Sequence, residues 1–307
     1  MNQWFREINK FLKIDEEVPV EYTPTGRIRK SIFIVGLLGG QKNTLHRIVD
    51  ICMMQSLIKN NEVSELVKDY GMVIVDECHH IGAFSFEQIL DEVNAKYVYG
   101  LSATPYREDG HHPIIFMQCG PVRYQLTTKE RLDELKLESW VVPRFTRFVQ
   151  PVSIQKNNIT DIYKAILKDE MRNNLIVDDI IESIKHGRSP IVLTKFVDHA
   201  DILVKNLKQK IENVFLLKGG MTSKEKRFIV DKIQNIPDYE PMVIVAIGKY
   251  IGEGFDLPRL DTLFFTIPIS WKGNIEQYAG RLHRKNKGKA EVIIYDYVDF
   301  HDRMGKN

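Results

Sequence analysis

Short continuous apolar runs recur along the chain, and segments with helical spacing of their apolar residues separate them. A continuous run of this length is typical of a strand that is buried on both faces, as in a parallel sheet covered by helices. Strands that alternate with helices in this way indicate an open α/β fold. We therefore predict an α/β protein with mostly parallel sheets.

The first half of the chain gives a series of predicted elements. Helices are predicted over 4–12, 63–68 and 84–93, and strands over 32–35, 48–54, 72–75 and 97–101. The polar segment 14–30 predicts a loop, and the Gly-rich segment 36–40 predicts a turn. Two further strands are expected around Ile115 and Tyr124, followed by a charged helix over 129–135.

A second alternating set starts after residue 168. It predicts helices over 169–184, 200–208, 223–233 and 275–283, and strands over 191–194, 214–217, 242–246, 262–266 and 292–295. Gly187 is expected to end the first helix and Ser223 to cap the third. Because 145–158 shows no period, we predict two domains, 1–148 and 169–307, joined by a linker over 149–168.

The composition narrows the class of protein. The chain has 307 residues, of which 43% are hydrophobic and 27% charged, as in ordinary folded proteins. Its apolar runs are too short to span a bilayer, and no signal-peptide layout is present at the N-terminus. Three scattered cysteines predict no disulfide framework and favour a reducing, cytoplasmic setting. A net charge of +2 means that nucleic-acid binding would depend on local basic patches.

The first candidate site follows the strand over 72–75, where Asp76 and Glu77 would stand at the carboxyl edge of the sheet. One carboxylate can hold Mg²⁺ through its water shell, and the other can orient an attacking water. The alternative is that Asp76 caps the next helix and Glu77 is simply solvated. For an isolated Asp-Glu pair that alternative is the stronger one.

Two further motifs follow strand ends. Ser102-Ala103-Thr104-Pro105 places small hydroxyl residues beside neighbouring carboxylates, although Ser/Thr-Pro can also simply end a strand. Gly252-Glu253-Gly254-Phe255-Asp256 allows a ligand to approach the main chain, and Asp256 could accept from a ribose hydroxyl or orient an arginine. A tight turn is an equally good explanation of this second motif.

A fourth motif lies on the predicted helix over 275–283. Gln277, Arg281 and Arg284 have the spacing of residues on one helical face, which suits the oxygens of a γ-phosphate. Gly280 costs roughly 1 kcal/mol relative to Ala in a helix, so a close backbone approach would explain it. The alternative is a solvated basic face.

The four motifs and their order resemble those of the superfamily 2 (DEAD/DEAH-type) helicases. Along the chain they are Asp76-Glu77-Cys78-His79, Ser102-Ala103-Thr104-Pro105, the Gly254-containing motif and Gln-x-x-Gly-Arg-x-x-Arg. The chain is most similar to the XPB-like and type III restriction res-subunit-like branch, over nearly its whole length. The resemblance implies two RecA-like lobes and an ATP-dependent helicase or translocase. It also implies ATP and Mg²⁺ in the cleft between the lobes, with nucleic acid, DNA rather than RNA, crossing both.

The resemblance also implies roles for individual residues. Asp76 is expected to hold Mg²⁺ through water and Glu77 to position the hydrolytic water. The remaining catalytic residues are Gln277, Arg281 and Arg284, the arginines also binding nucleotide together with Gly254 and Asp256. Coupling of hydrolysis to movement is expected from His79, Ser102, Ala103 and Thr104. Nucleic-acid contacts are expected from Gln55, Ser56, Thr194, Lys195, Gly219 and Gly220.

The chain departs from this family in one important respect. Such enzymes use Gly-Lys-Ser/Thr to hold the phosphates, and that tripeptide does not occur here. The segment 36–44 has Lys42 between Gln41 and Asn43, and we interpret Gly39-Gly40 as a turn that connects strands. We therefore expect a first lobe that lacks its N-terminal part, through truncation, a split gene or a decayed copy, and little or no ATP hydrolysis by this chain alone.

Two competing interpretations follow from the missing loop. The chain could be a non-catalytic nucleic-acid-binding remnant, or one half of an enzyme completed by a separate chain that supplies the phosphate loop. No membrane partner is expected. Cys78-His79-His80 and His111-His112 are not expected to bind metal, because adjacent residues rarely converge on one ion. The Lys-rich segment 285–289 predicts a solvated turn that could touch phosphate backbone.

Overall fold

The computed structural model describes residues 1–17, 20–22, 26, 28–30, 34–79, 84–102, 110, 112–149, 151, 159–247, 257–268 and 278–299. The chain divides into two compact units, Met1–Gln125 and Leu126–Asn307. None of the helices in the described ranges is both long and apolar enough to cross a bilayer.

The first unit contains several small sheets and three helices among its described residues. Its helices are α1 Asn2–Phe11, α2 Phe84–Asp91 and α3 His112–Cys119. Its strands are β1 Val20–Tyr22, β2 Ile28–Lys30, β3 Val35–Gly39, β4 Lys42–Asn43, β5 Val49–Cys52, β6 Ile58–Lys59, β7 Glu62–Val63, β8 Met72–Asp76 and β9 Tyr97–Leu101. Short 3-10 helices cover Met54–Ser56 and Glu65–Asp69.

Several predictions for this unit need correction. The predicted loop over 14–30 contains the antiparallel pair β1–β2. Most of the predicted turn over 36–40 is strand β3, and the predicted helix over 63–68 starts as β7 and continues as a 3-10 helix. Ile115 lies in α3 rather than in a strand, and Tyr124 lies outside any regular element.

Strand β8 is predicted at the correct place, but its burial is not as predicted. It pairs in parallel with β9, and both strands alternate between more and less exposed residues. Val75 and Val98 pack with α2 and α3 around Cys78, whereas Met72 and Ile74 on the other face are 52% and 54% exposed. Among the described residues, α2 and α3 therefore cover one face of this two-stranded sheet and leave apolar side chains exposed on the other.

The second unit contains a six-stranded parallel sheet with the order β10-β15-β14-β11-β13-β12. Its strands are β10 Glu138–Phe145, β11 Pro190–Thr194, β12 Val214–Leu217, β13 Val243–Ile247, β14 Thr262–Phe265 and β15 Glu291–Val298. Its helices are α4 Thr128–Leu135, α5 Ile159–Lys168, α6 Glu170–Lys185, α7 Val197–Leu207 and α8 Ser223–Gln234, and residues 278–282 form a further helical segment.

Apolar residues cover both faces of this sheet, as the continuous apolar runs predict. Successive residues point to opposite faces, so Val192 of β11 packs with α6 and α7, while Ile191 and Leu193 pack with the core that includes Ile233 of α8. The sheet is therefore the rigid element from which the loops at its carboxyl edge project.

The division of the chain differs from the prediction. Residues 126–148 belong to the second unit, because β10 pairs with β15 along its whole length, from Glu138 opposite Glu291 to Phe145 opposite Val298. The predicted linker over 149–168 contains α5, which packs through Ile162 against the buried Phe148.

The helix ends largely follow the sequence. Gly187 follows α6 with φ +75°, the left-handed conformation expected after a helix. The predicted cap at Ser223 is one residue away from the observed cap at Thr222, whose hydroxyl accepts from the backbone N–H of Glu225. The Glu225 carboxylate accepts in return from the backbone of Thr222, which completes a capping box.

Candidate active site and nucleic-acid interface

The carboxyl ends of β8 and β9 bring the first two motifs together. The two strands are parallel and in register from Met72 opposite Tyr97 to Asp76 opposite Leu101. Asp76 and Glu77 therefore lie at the same edge as Ser102, which follows β9. This is the edge at which ligands bind in open α/β sheets.

Asp76 is exposed and accepts a hydrogen bond on each carboxylate oxygen. Trp4 donates from its indole Nε1 to Oδ2 at 2.6 Å, and the backbone N–H of Glu77 donates to Oδ1 at 3.0 Å. Glu77 has φ +51°, a left-handed conformation that lets its N–H turn back to the preceding side chain. An accessible carboxylate at a strand end is the kind of ligand that fits Mg²⁺ or one of its bound waters.

His79 links the two motifs. Its Nδ1 lies 3.0 Å from the Ser102 hydroxyl and 3.3 Å from Oε2 of Glu77. The structure thus brings Glu77, His79 and Ser102 into one cluster, whereas the predicted coupling residues Ala103 and Thr104 lie outside the described residues.

Gly100 is a residue of this site that the sequence analysis missed. A Cβ at Gly100 would lie 2.9 Å from Sγ of Cys78 and 3.1 Å from Cβ of Cys119, so the strand passes too close to both cysteines for a side chain. Burial raises the pKa of the Cys78 thiol to about 11, so it is protonated and apolar at neutral pH. A glycine inside a strand pattern was the available signal.

The segment over 36–44 is a β-hairpin in the structure. Strands β3 and β4 pair with Gly39 opposite Lys42, and Gly40 and Gln41 form the two-residue turn with φ +59° and +68°. Positive φ at both positions is typical of the type I′ hairpin turn. The connection between strands is therefore Gly40-Gln41, one residue later than the predicted Gly39-Gly40, because Gly39 still pairs with Lys42.

Lys195 of the predicted nucleic-acid contacts lies exposed at the carboxyl edge of the large sheet, directly after β11. The preceding residue, Thr194, is buried, and its hydroxyl is hydrogen-bonded to Nδ1 of His199 at 3.0 Å. The Thr194 hydroxyl therefore points into the protein, and a contact between Thr194 and nucleic acid stays a prediction. The other predicted contacts occupy short connecting segments: Gln55 and Ser56 in a 3-10 helix of the first unit, and Gly219 and Gly220 in the turn after β12.

Arg281 and Arg284 belong to a cationic cluster in the second unit. Arg131 of α4 has its pKa lowered by burial and then by the nearby charges of Arg284 and Arg281. His283 between them is buried, and burial together with the charges of Arg131 and Lys289 lowers its pKa to about 4. An assembly of positive charges of this kind suits a phosphate group.

Lys289 corrects the prediction of a fully solvated turn over 285–289. Its ammonium group donates to the backbone oxygens of Pro258 at 3.1 Å, Leu260 at 2.5 Å and Leu282. Lys289 therefore fixes the end of the helical segment 278–282 against the chain that enters β14. A Cβ at Gly280 would meet nothing within 4 Å among the described residues, so the close approach expected there is not observed.

A buried ion pair in the second unit was not predicted. Arg172 and Asp299 are 1% and 2% exposed, and Nε of the arginine donates to Oδ1 at 2.9 Å. Thr146 donates to the same oxygen at 2.5 Å, and Arg172 also donates from Nη1 to the backbone oxygen of Thr266 at 2.8 Å. These bonds tie α6 to the carboxyl ends of β14 and β15.

Comparison with known proteins assigns each half of the chain. Residues 1–107 match the family model of the type III restriction enzyme res subunit, and residues 172–286 match the helicase conserved C-terminal domain. The chain belongs to the superfamily 2 helicases. Its first region is res-like, and its second region is a helicase C-terminal domain.

Viral helicases are among its curated relatives. A putative ATP-dependent RNA helicase of Acanthamoeba polyphaga mimivirus is 27% identical, over 81% of this chain and 47% of the relative. A transcript termination protein of fowlpox virus is 27% identical, over 78% of this chain and 52% of the relative. A probable helicase of Escherichia phage T5 is 25% identical, over 87% and 57%. The chain thus spans about half the length of these relatives.

Solved helicase structures share the two-lobed fold. A fragment of a putative HsdR subunit of a type I restriction enzyme from Vibrio vulnificus YJ016 matches with a TM-score of 0.65 at 18% identity, covering 89% of this chain and 52% of that one. S. cerevisiae Dbp5 bound to RNA and ADP BeF3 matches with a TM-score of 0.53 at 11% identity, covering 86% and 64%. The fold prediction of two RecA-like α/β lobes is confirmed.

Three further residues expected to act in a superfamily 2 helicase, namely Gly254, Asp256 and Gln277, lie outside the described residues. Within the described ranges, no three His, Cys, Asp or Glu side chains converge as a metal-binding group.

Proposed function

We propose that the chain acts as part of an ATP-dependent superfamily 2 helicase or translocase that moves on nucleic acid, with DNA favoured over RNA. The observation that carries the proposal is the edge formed by β8 and β9, where Glu77, His79 and Ser102 are in contact beside the exposed Asp76. The family assignment of both halves supports the same function.

In this proposal Asp76 holds Mg²⁺ through water, and Glu77 orients the water that attacks the γ-phosphate. Bound ATP and Mg²⁺ supply the transferable phosphoryl group and neutralise its charge. His79 lies within hydrogen-bonding distance of Ser102 and close to Glu77, so a change in the position of Glu77 would alter the contacts of Ser102. That contact supports coupling between hydrolysis and movement.

Phosphate recognition in the second unit is assigned to Arg281 and Arg284. Arg131 adds a third positive charge close to them, and Lys289 fixes the segment that carries them. Planar guanidinium groups suit the oxygens of a phosphate better than point charges do, because each can donate two parallel hydrogen bonds.

The chain alone is proposed to hydrolyse ATP weakly or not at all. It has no Gly-Lys-Ser/Thr, and the segment that comes nearest to one, 36–44, forms a hairpin whose backbone groups bond across the two strands. The partner in this proposal is a separate protein chain that supplies the phosphate loop. The exposed apolar face of β8 and β9, with Met72, Ile74 and Tyr99, offers a packing surface for such a partner.

A non-catalytic nucleic-acid-binding protein is the alternative function. The hairpin over 36–44 favours this alternative, because a hairpin there provides no phosphate loop. Both units would then serve only to bind nucleic acid. The described cysteines are free, which supports a reducing cytoplasmic setting in either case.

The test is ATP hydrolysis by the purified chain, with and without duplex DNA, beside a Glu77→Gln variant. We expect little turnover from the chain alone, together with intact binding of nucleic acid. Strong DNA-stimulated turnover that the variant loses would mean that a phosphate site exists within this chain. Turnover that is the same in the variant would contradict the role of Glu77.

A further inference from the structure

Three side chains at the carboxyl edge of the large sheet form a cation–aromatic cluster, which we call the aromatic platform: Tyr163, Lys195 and Phe196. The ring centroids of Tyr163 and Phe196 are 5.5 Å apart, and the Lys195 ammonium lies 5.9 Å from the Tyr163 ring. Lys195 is exposed, and Tyr163 and Phe196 are each half-buried. Tyr163 and Phe196 were not among the residues predicted from the sequence.

The platform has two halves that come from different parts of the chain. Lys195 and Phe196 form the turn between β11 and α7, and Tyr163 lies on α5. Asn173 of α6 holds the halves together: its Nδ2 donates to the backbone oxygen of Leu167 in α5 at 2.8 Å, and its Oδ1 lies 3.0 Å from Nε2 of His199 in α7.

The same hydrogen-bond chain fixes the turn. Because Nδ2 of Asn173 is the donor to Leu167, its Oδ1 accepts from Nε2–H of His199. Nδ1 of His199 then accepts from the Thr194 hydroxyl at 3.0 Å, and that hydroxyl accepts from the backbone N–H of Phe196 at 3.4 Å. Burial lowers the pKa of His199 to about 3, so the neutral form that this arrangement needs is present at neutral pH.

These contacts hold the platform in one arrangement before any ligand arrives. A preorganised surface loses less conformational entropy on binding, and so gives tighter binding for the same contacts. The buried hydrogen bonds among Asn173, His199 and Thr194 therefore have a structural role, which is to hold the turn that carries Lys195 and Phe196.

We propose that the aromatic platform binds single-stranded nucleic acid, with bases stacked on the rings of Tyr163 and Phe196 and the backbone phosphate held by Lys195. Because the two rings are tilted by 50° to each other, each ring would take its own base. This inference rests on the proposed function and adds the residues that would contact the strand. Base–aromatic stacking tolerates any sequence because every base has a π-face. The contact of Lys195 with Tyr163 is close to the upper distance for a cation–π pair, so Lys195 can turn to a phosphate with little loss.

The test uses fluorescence anisotropy with a labelled twenty-nucleotide oligothymidine and the full chain. Tyr163→Leu keeps an apolar side chain in the half-buried position but removes the aromatic face, and Tyr163→Phe keeps the face. We expect about tenfold weaker binding or more for Tyr163→Leu, since stacking contributes about 1–3 kcal/mol per base. Tyr163→Phe should bind within about twofold of the unaltered chain. Tyr239, 86% exposed elsewhere in the second unit, provides the matched control Tyr239→Leu.

Two further measurements distinguish a stacking contact from a charge contact and from misfolding. They are the salt dependence of binding and the binding of a duplex. Lys195→Ala should lower the slope of log affinity against log salt by about 0.7, the value for one phosphate contact on a single strand, whereas Tyr163→Leu should leave that slope unchanged. Binding to a duplex of the same length, whose bases are already stacked, should change little in Tyr163→Leu. Loss of duplex and single-strand binding together would show damage to the fold rather than to a stacking contact, and would overturn the proposal.

Single-strand binding by Tyr163→Leu and Phe196→Leu at the level of the unaltered chain would also overturn the proposal, since the rings would then serve packing alone. If the unaltered chain bound neither strand form, the proposed function itself would fail. The two failures are therefore distinguishable.

Discussion

Trp4 and Asp76 are 72 positions apart in the sequence and are joined by a hydrogen bond of 2.6 Å from the indole Nε1 to Oδ2. Helix α1, which carries Trp4, has no buried residue, and this bond joins it to the end of β8. Since Asp76 is the carboxylate proposed to hold Mg²⁺, the position of α1 and the state of the site are linked.

Replacing Trp4 by Phe removes the donor and keeps an aromatic ring. We expect the backbone amides of α1 to exchange hydrogen faster in Trp4→Phe, because short helices without tertiary contacts are marginal in water. Hydrogen exchange followed by mass spectrometry measures this. Phe11→Ala is the control, since Phe11 is 73% exposed on the same helix and its loss should change exchange much less. Equal exchange of α1 in the unaltered chain and in Trp4→Phe would show that the bond does not hold the helix.

Gly100 and Gly71 form a matched pair for testing the packing beneath the first site. A methyl group at Gly100 would press on Cys78 and Cys119, whereas one at Gly71 would meet nothing within 4 Å. We expect Gly100→Ala to lower the free energy of unfolding of the first unit by about 1–3 kcal/mol, as overpacking does. Gly71→Ala should lie within about 0.5 kcal/mol of the unaltered chain. Urea unfolding followed by circular dichroism gives both values, and equal losses would contradict the close packing at Gly100.

The Arg172–Asp299 pair should be essential to the second unit. Arg172→Met leaves the Asp299 carboxylate buried without its cation, so we expect a loss of about 3–5 kcal/mol in the unfolding transition of that unit. Lys185→Met is the control, because its ion pair with Glu182 lies at the surface and such pairs contribute less than about 1 kcal/mol. A loss for Arg172→Met as small as that of the control would show that the pair is dispensable.

The stability of the second unit should fall as the pH is lowered below 6.5. His199 and His283 have pKa values of about 3 and about 4, below the ordinary 6.5, because both are buried and near positive charges. Between pH 6.5 and about 4 the unfolded chain binds protons that the folded chain does not, so acid favours unfolding. The slope reaches at most about 1.4 kcal/mol per pH unit for each histidine.

The variant His199→Gln tests this pH dependence. A Gln side chain can still accept from Thr194 and donate to Asn173, but it does not titrate, so urea unfolding between pH 4 and 7 should show a smaller slope. A slope that does not decrease in His199→Gln would mean that this histidine takes up its proton in the folded state.

The second unit followed the sequence more closely than the first because its strands are buried on both faces. Continuous apolar runs such as 191–194 and 214–217 therefore coincide with β11 and β12 to within a residue. In the first unit the runs are ambiguous. The apolar residues of His112–Cys119 show no helical period, and a short run without a period does not distinguish helix from strand.

Other features depend on contacts between distant residues. The pairing of β10 with β15 moved residues 126–148 into the second unit, and no local pattern near 138–145 reveals a partner more than a hundred residues away. The Asn173–His199 bond that supports the aromatic platform is likewise a contact that no local sequence pattern predicts. The cap at Thr222, by contrast, could have been predicted from the local sequence. Glu225 three residues later completes the capping-box pattern, and the prediction of Ser223 overlooked it.

The proposed function requires that this chain binds nucleic acid, whatever its catalytic state. The most direct measurement is the affinity of the purified chain for a labelled single strand, a duplex DNA and a matched RNA, each titrated over a range of salt concentrations. We predict binding that weakens as salt rises, since basic groups such as Lys195 replace counterions on the phosphates. The proposed preference adds the expectation that DNA is bound more tightly than RNA. No binding to any of the three nucleic acids at low salt would contradict the proposed function.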